Sequence, residues 1–174
     1  MNLNRMHLEA LGEEFELEIS QYLQLKYPKS EVLHNNSIYC EFLKKETQMD
    51  LIFITDRNVY IIEAKNWIGF IRGNINDKHW EGRSRSKNTI TVFNPVNQNA
   101  LHIRTLRNAL RLQGMNPPMF KNIVVVPDGT EIKSDCSEVI NKSMLLQRIA
   151  SNENSSSLSI DIMNMKNSIK GVCL

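Results

Sequence analysis

The stretch Gln48-Met49-Asp50-Leu51-Ile52-Phe53-Ile54-Thr55, the cluster Asp56-Arg57-Asn58 and the run Val59-Tyr60-Ile61-Ile62-Glu63-Ala64-Lys65 together read as a β-hairpin. Two segments rich in Ile, Val, Tyr and Phe are divided by a polar turn, the pattern of paired strands. Side chains alternate faces along a strand, so Glu63 and Lys65 share a face whatever the pairing. Asp50 depends on register. With an even loop such as Arg57-Asn58, Asp56 pairs with Val59 and Asp50 lies opposite Lys65, on the face of Glu63. With a three-residue loop Asp50 turns away unless a bulge resets it.

Working outward, Leu8, Leu11, Phe15, Ile19, Tyr22 and Leu23 recur at helical spacing, which predicts an amphipathic helix over residues 8–26, stopped before Pro28. A β-type run from Glu31 to Leu43, broken near Asn35-Asn36, precedes the hairpin strands at 49–55 and 59–65. Beyond Lys65, Phe70-Ile71 and Asn74-Ile75 predict a short strand pair, and residues 82–88 read as a mobile basic loop. Asn94 is an N-cap and Pro95 a first helical residue, with Val96, Ala100, Ile103, Leu106 and Leu110 as the apolar stripe of a helix ending near Gly114. Phe120 to Val126 is a buried strand, closed by Pro127-Asp128-Gly129. A helix around 142–150, a polar linker over 151–159 and a short helix over 160–169 complete the chain, which has no internal repeat.

Length and composition fit one globular domain with a small appendage: 174 residues, 41% hydrophobic and 23% charged. No run approaches a membrane span and no signal-like apolar segment follows Met1, so the expected setting is cytoplasmic, without membrane contact. Cys40, Cys136 and Cys173 are odd in number and far apart, against a disulfide framework or a zinc knuckle, and His7, His34 and His79 lack metal-ligand spacing. The net charge of +2 hides an asymmetry. Residues 1–50 hold five Lys/Arg against nine Asp/Glu, whereas residues 65–121 hold ten against two. A local excess of this kind suits a phosphate-binding surface, and equally a solvated basic face. The chain has no GxxxxGK[ST], GxGxxG or GxSxG pattern, which removes ATPase, dinucleotide-enzyme and serine-hydrolase readings.

Two carboxylates at one end of a hairpin offer hard oxygen ligands for Mg²⁺, and a lysine beside them supplies a cation for a phosphate in reaction. An acid-x-lysine triplet alone is more often a strand-end ion pair. Here it stands in an ordered set: Gly12-Glu13, Gln48-Met49-Asp50, Ile61-Ile62-Glu63-Ala64-Lys65-Asn66-Trp67, Gly69, Gly73, Trp80, and Asn94-Pro95-Val96-x-Gln98-x-x-x-His102. With these residues the chain resembles the nuclease-related domain (NERD) family, a branch of the PD-(D/E)xK restriction-endonuclease-like superfamily, from about residue 8 to 126. Met49 stands where the superfamily pattern has proline.

The resemblance implies an α/β fold with a restriction-endonuclease-like core. A central mixed sheet flanked by helices, in the order αβββαβ, would fill residues 8–128, with a small C-terminal helical extension at 129–174. It implies Asp50 and Glu63 as metal ligands for Mg²⁺, with Mn²⁺ the substitute, and Lys65 as the catalytic lysine. Glu13 would be an auxiliary acid from the first helix, a role for which Glu14 and Glu16 compete, and Gln98 with His102 a polar pair from the second. Spacing alone puts Gln98 and His102 on one helical face, which also suits a solvated pair. Trp67 and Trp80 are read as packing aromatics rather than base-stacking ones. The expected activity is metal-dependent hydrolysis of nucleic acid, DNA foremost, although no residue pattern separates DNA from RNA. Arg83, Arg85 and Lys87, and the stripe Arg104, Arg107 and Arg111, are the nucleic-acid-binding candidates. The alternative is a catalytically inactive nucleic-acid-binding or regulatory module on the same fold. A protein partner docked through the C-terminal extension is a further expectation.

Overall fold

The computed structural model describes residues 3–83 and 88–174, with the side chains of residues 3–9 excepted. Helix α1 (Leu3–Lys26) leads into β1 (Glu31–Cys40), β2 (Lys45–Ile54) and β3 (Val59–Ala64). Strands β4 (Phe70–Arg72), β5 (His79–Arg83) and β6 (Thr89–Phe93) follow, then α2 (Pro95–Leu112) and β7 (Phe120–Val126). The chain closes with β8 (Glu131–Lys133), β9 (Val139–Asn141), a 3₁₀ turn at Lys142–Met144, α3 (Leu145–Ser155) and α4 (Ile162–Val172).

The main sheet has the order β1-β2-β3-β7-β9. Its β1–β2 and β2–β3 pairs are antiparallel, while β3–β7 and β7–β9 are parallel, so α2 is the crossover between β3 and β7. Alternation along the central strands splits the core in two. Ile52, Ile54, Val59 and Ile61 pack with Ile103, Leu106 and Leu110 of α2 and with Met165 and Ile169 of α4. Leu51, Phe53, Tyr60 and Ile62 pack with Phe15, Ile19 and Leu23 of α1 and with Leu145 and Ile149 of α3. The result is the mixed α/β architecture expected from the sequence, a mixed sheet between helical layers.

Several local expectations are corrected. Residues 74–75 form no strand; β4 pairs instead with β5, which pairs with β6, and β8 joins the far side of β4 to make a second sheet, β6-β5-β4-β8. Gly82 and Arg83 of the expected loop therefore belong to a strand, while residues 84–87 lie outside the described residues. This sheet closes over Trp67 and Trp80, both buried with Ile71, Val96, Val124 and Val126, which makes them packing residues. Gly82 is what lets Trp67 lie flat on β5: a Cβ there would sit 2.6 Å from the indole Cε3. The first β-run ends at Cys40 rather than Leu43, and β2 starts four residues before Met49. The linker expected over 151–159 is helical to Ser155, where Glu153 accepts hydrogen bonds from Thr55, Asn58 and Tyr60 and ties α3 to the hairpin.

The stripe of α2 also differs. Ala100 is exposed, and the buried line passes through Asn99 in its place: Val96, Asn99, Ile103, Leu106, Leu110. Asn99 donates to the Ile61 carbonyl at 2.7 Å and to Asn122 at 2.7 Å, pinning the helix across the β3–β7 seam. Asn94 caps α2 as the sequence predicts, accepting from the Val96 and Asn97 N–H groups at 3.0 and 3.1 Å. Its amide also donates to the carbonyls of Asn74, Ile75 and Asp77, so one buried side chain fixes both the helix start and the β4–β5 turn. Residues 129–174 are held on the core, through β8 on β4, β9 on β7, and α3 and α4 in the two apolar layers.

Candidate active site

At the end of the main sheet where β3 and β7 finish, a cleft of about 800 Å³ opens between α1, the start of α2 and the projecting β1–β2 arm. The hairpin register decides what enters it. Ile54 lies opposite Val59 and Leu51 opposite Ile62, with the turn closed by the Thr55 N–H donating to the Asn58 carbonyl at 2.9 Å. The loop is even, as convergence requires, but one step further along the ladder Asp50 faces Glu63, not Lys65. The Ala64 N–H donates to Asp50 Oδ2 at 2.9 Å. Opposite Asp50, Asn35 takes a left-handed conformation, φ 51°, and at this point the apolar face of both strands switches. Met49 and Ile38 thus pack in the same layer as Ile52 and Leu33, although their strand parity is opposite.

Glu63 is the hub, with 1% of its side chain exposed. Its Oε1 accepts from Gln98 Nε2 at 2.7 Å and from Lys65 Nζ. Among the described residues its Oε2 is buried without a hydrogen-bond partner, as is His102 Nδ1, 3.7 Å away. The other ring nitrogen of His102 shares a 2.8 Å hydrogen bond with Thr47 Oγ1. Burial, and then the nearby Lys65 charge, push the imidazole down to about 4, so His102 is neutral at pH 7 and its contact with Glu63 is not an ion pair.

The remaining acids are electrostatically strained. Burial, followed by the Glu63 charge, raises Asp50 to about 7, against the opposing pull of Lys65 and the Ala64 hydrogen bond. Glu16 is also raised to about 7, by burial first and then by Asp50, Glu63 and Glu13. For Lys65 burial works against the charge, but Glu63, Asp50 and Glu16 outweigh it and hold the ammonium above its usual range. Asp50, Glu63, Lys65, Gln98 and His102 are thereby brought to one cleft, together with both Glu13 and Glu16. Glu13 is exposed at the rim, whereas Glu16, one helical turn on, is the half-buried acid that feels Asp50 and Glu63.

Two features were not singled out in the sequence: Thr47, the partner of His102, and Asn99. A polar residue interrupting an apolar helical stripe is the signal that would have marked Asn99. The basic candidates are dispersed. Arg83 lies over the Phe70 ring of the second sheet, 5.6 Å from its centroid. Arg85 and Lys87 lie outside the described residues. Arg104 stacks on Phe42 at the tip of the β1–β2 arm, 3.7 Å from the ring centroid, beside the cleft. Arg107 sits over Phe120, at the opposite end of the sheet, and Arg111 is exposed one turn further.

Among the described residues, no group of three or more His, Cys, Asp or Glu is drawn together into a ready metal cage. A hard dication that keeps several waters needs fewer: one or two carboxylates suffice for Mg²⁺. The paired Asp50 and Glu63 oxygens fit that demand. So does the orphaned Glu63 Oε2, a buried anionic acceptor lacking any donor. Asp50 is raised by burial first and by the Glu63 charge second, and a cation held by both carboxylates would relieve the second.

The profile of the nuclease-related domain, NERD, matches residues 11–127. An uncharacterized protein of Bacillus anthracis is 35% identical over 97 residues, which cover 55% of this chain and 44% of that protein. The match thus spans less than half the length of the relative. No solved structure matches. Among the described residues no helix is long and apolar enough to cross a membrane.

Proposed function

We propose, because this chain belongs to the nuclease-related domain (NERD) family, that it is a Mg²⁺-dependent nuclease hydrolysing phosphodiester bonds in nucleic acid, DNA foremost. The observation that carries this reading is the convergence of Asp50, Glu63 and Lys65 in one cleft, with Glu63 held from α2 by Gln98. Asp50 and Glu63 would hold the metal, with Mn²⁺ the natural substitute. When bound, the ion supplies Lewis-acid polarisation of a phosphoryl oxygen and a water acidified towards neutral pH.

The chain's own residues do the rest. Lys65 keeps its proton beside two carboxylates and offers a fixed cation to the charge that grows on a phosphate oxygen. Gln98 fixes one oxygen of Glu63, which orients the carboxylate in the cleft. Neutral His102, anchored by Thr47, packs against the other oxygen without neutralising it. Glu16, raised to about 7, is a proton carrier within reach of neutral pH at the cleft wall, the auxiliary role expected of Glu13. Arg104 at the arm tip and Arg83 on the second sheet are cations for the nucleic-acid backbone. The cytoplasm is the setting, with Cys40, Cys136 and Cys173 as free thiols.

The test is incubation of purified protein with labelled single- and double-stranded DNA and RNA, in Mg²⁺, Mn²⁺ or EDTA. Cleavage with either metal and none in EDTA is expected. Binding without cleavage of any substrate would replace the enzyme by a binding module on the same fold.

A further inference from the structure

The cleft that gathers the acids has a second lining that the hydrolytic residues do not use. Leu43 from the β1–β2 turn, Phe93 at the end of β6 and Leu101 on α2 form part of its wall. Leu43 and Phe93 are 45% and 43% exposed, and Phe42, beside Leu43, is 57% exposed with the Arg104 guanidinium lying on its ring. These large apolar side chains stand partly open to solvent beside a buried acid cluster.

Charge limits where a backbone can lie. Glu13, Glu16, Glu46, Asp50 and Glu63 face the cleft against Lys45 and Lys65, so its lining is net acidic. A surface that grips a duplex tracks its phosphates with Lys and Arg, since the duplex presents phosphates outward and keeps the faces of its bases stacked away. This lining repels the phosphates of either form except where a metal and Lys65 meet one, so discrimination between them falls to the apolar wall. An unpaired strand differs in its bases, which expose π-faces that an aromatic side chain binds with little regard to sequence, and beyond Lys65, Lys45 and Arg104 on the arm side are the cations nearest its backbone. The cleft, about 800 Å³, lies between α1, the start of α2 and the projecting arm.

We propose that the cleft selects an unpaired nucleic-acid strand, whose bases stack against Phe93, Leu43 and Leu101 while its backbone passes Asp50, Glu63 and Lys65. The inference rests on the nuclease reading and adds the strandedness of the substrate to it. Phe93 is the central contact. The His79 ring packs edge-on against it, with centroids 6.3 Å apart, and Phe93 itself lines the cleft. Arg104, held flat on Phe42, extends the surface with a planar cation that can stack on a base or meet a phosphate.

The experiment measures binding of the full chain to a labelled single strand and to a blunt duplex of the same sequence by fluorescence anisotropy, with Ca²⁺ in place of Mg²⁺. Cleavage of both in Mg²⁺ is measured in parallel. Wild-type protein, Phe93→Ala, Phe93→Trp and Leu43→Ser are compared after their Tm values show each to be folded. The single strand should bind more tightly than the duplex. Phe93→Ala should weaken single-strand binding on the order of 10-fold, with duplex binding unmoved and Phe93→Trp restoring the loss. Leu43→Ser should weaken it in the same sense. Equal or tighter binding of the duplex, or single-strand affinity indifferent to Phe93→Ala and Leu43→Ser, overturns the inference. Cleavage of duplex alone overturns it too and leaves the nuclease reading standing, whereas absence of cleavage on every substrate is the separate failure of that reading.

Discussion

Replacing Asp50 by Asn should stabilise the metal-free protein at alkaline pH, although it removes a side chain at the heart of the cleft. Asp50 is raised from 3.8 to about 7, chiefly by burial and then by Glu63. At about 1.36 kcal/mol per pKa unit the whole shift corresponds to roughly 4 kcal/mol. Burial and the Glu63 charge act on the same proton, and a buried Asn amide carries a desolvation cost of its own, so the recoverable part is smaller, on the order of 2 kcal/mol. For a chain of this size the gain is about 4–8 °C in Tm. The Asn Oδ1 still accepts from the Ala64 N–H, so that donor keeps its partner.

The direction with pH is specific. The folded state holds the Asp50 proton more tightly than the unfolded chain, so its contribution is fully present below about pH 4 and is lost as pH rises through about 7. His102, pushed down to about 4, acts the other way: its contribution is present above about 6.5 and lost as pH falls towards 4. Because both proteins keep His102, its term cancels in the difference between them. The assay is thermal unfolding of wild type and Asp50→Asn in EDTA from pH 4 to pH 8. The variant should match wild type at pH 4 and exceed it increasingly towards pH 8, and Mg²⁺ should stabilise wild type alone. A difference that stays constant with pH, or a variant less stable than wild type at pH 8, would refute the reasoning.

Gly82→Ala should cost about 1–3 kcal/mol, because its Cβ would fall 2.6 Å from the Trp67 ring and force the indole off β5. Unfolding curves together with a change in tryptophan emission would check it. Asn94→Ala should cost roughly 2–3 kcal/mol, since it removes the acceptor for two helix N–H groups and the donor to the carbonyls of Asn74, Ile75 and Asp77. Hydrogen exchange should then rise in the first turn of α2 and in the β4–β5 turn together, and protection unchanged in the turn would separate the two roles.

The hairpin and its acids were legible because strand parity alone places Glu63 and Lys65 together, and because an even turn carries Asp50 to their face. Which partner Asp50 faces was not legible. It depends on closure at Thr55 and Asn58, which is stabilised by Glu153 from a helix ninety-odd residues away in sequence. Asn94-Pro95 announced α2 through local capping chemistry, whereas the exchange of Ala100 for Asn99 in the buried stripe is set by the β3–β7 carbonyls beneath it. The second sheet escaped notice because β4 and β8 are three residues each and β6 is half exposed throughout. Such strands are specified by their neighbours more than by their own pattern. Glu13 and Glu16 lie one turn apart on the same helix, and only the docking of α1 on the sheet makes Glu16 the acid nearer the cluster in electrostatic terms.

The central claim, that Asp50, Glu63 and Lys65 form a hydrolytic centre and not an ion-paired strand end, meets its most direct test in single-turnover cleavage by wild type and Lys65→Ala at saturating Mg²⁺. Metal binding is followed in parallel, with Asp50→Ala as the reference that should lose it. Deleting one fixed cation aimed at a developing phosphate charge should lower the rate on the order of 10²-fold or more, while Lys65→Ala still binds the metal. Cleavage at the wild-type rate by Lys65→Ala, or undiminished metal binding by Asp50→Ala, would contradict the assignment.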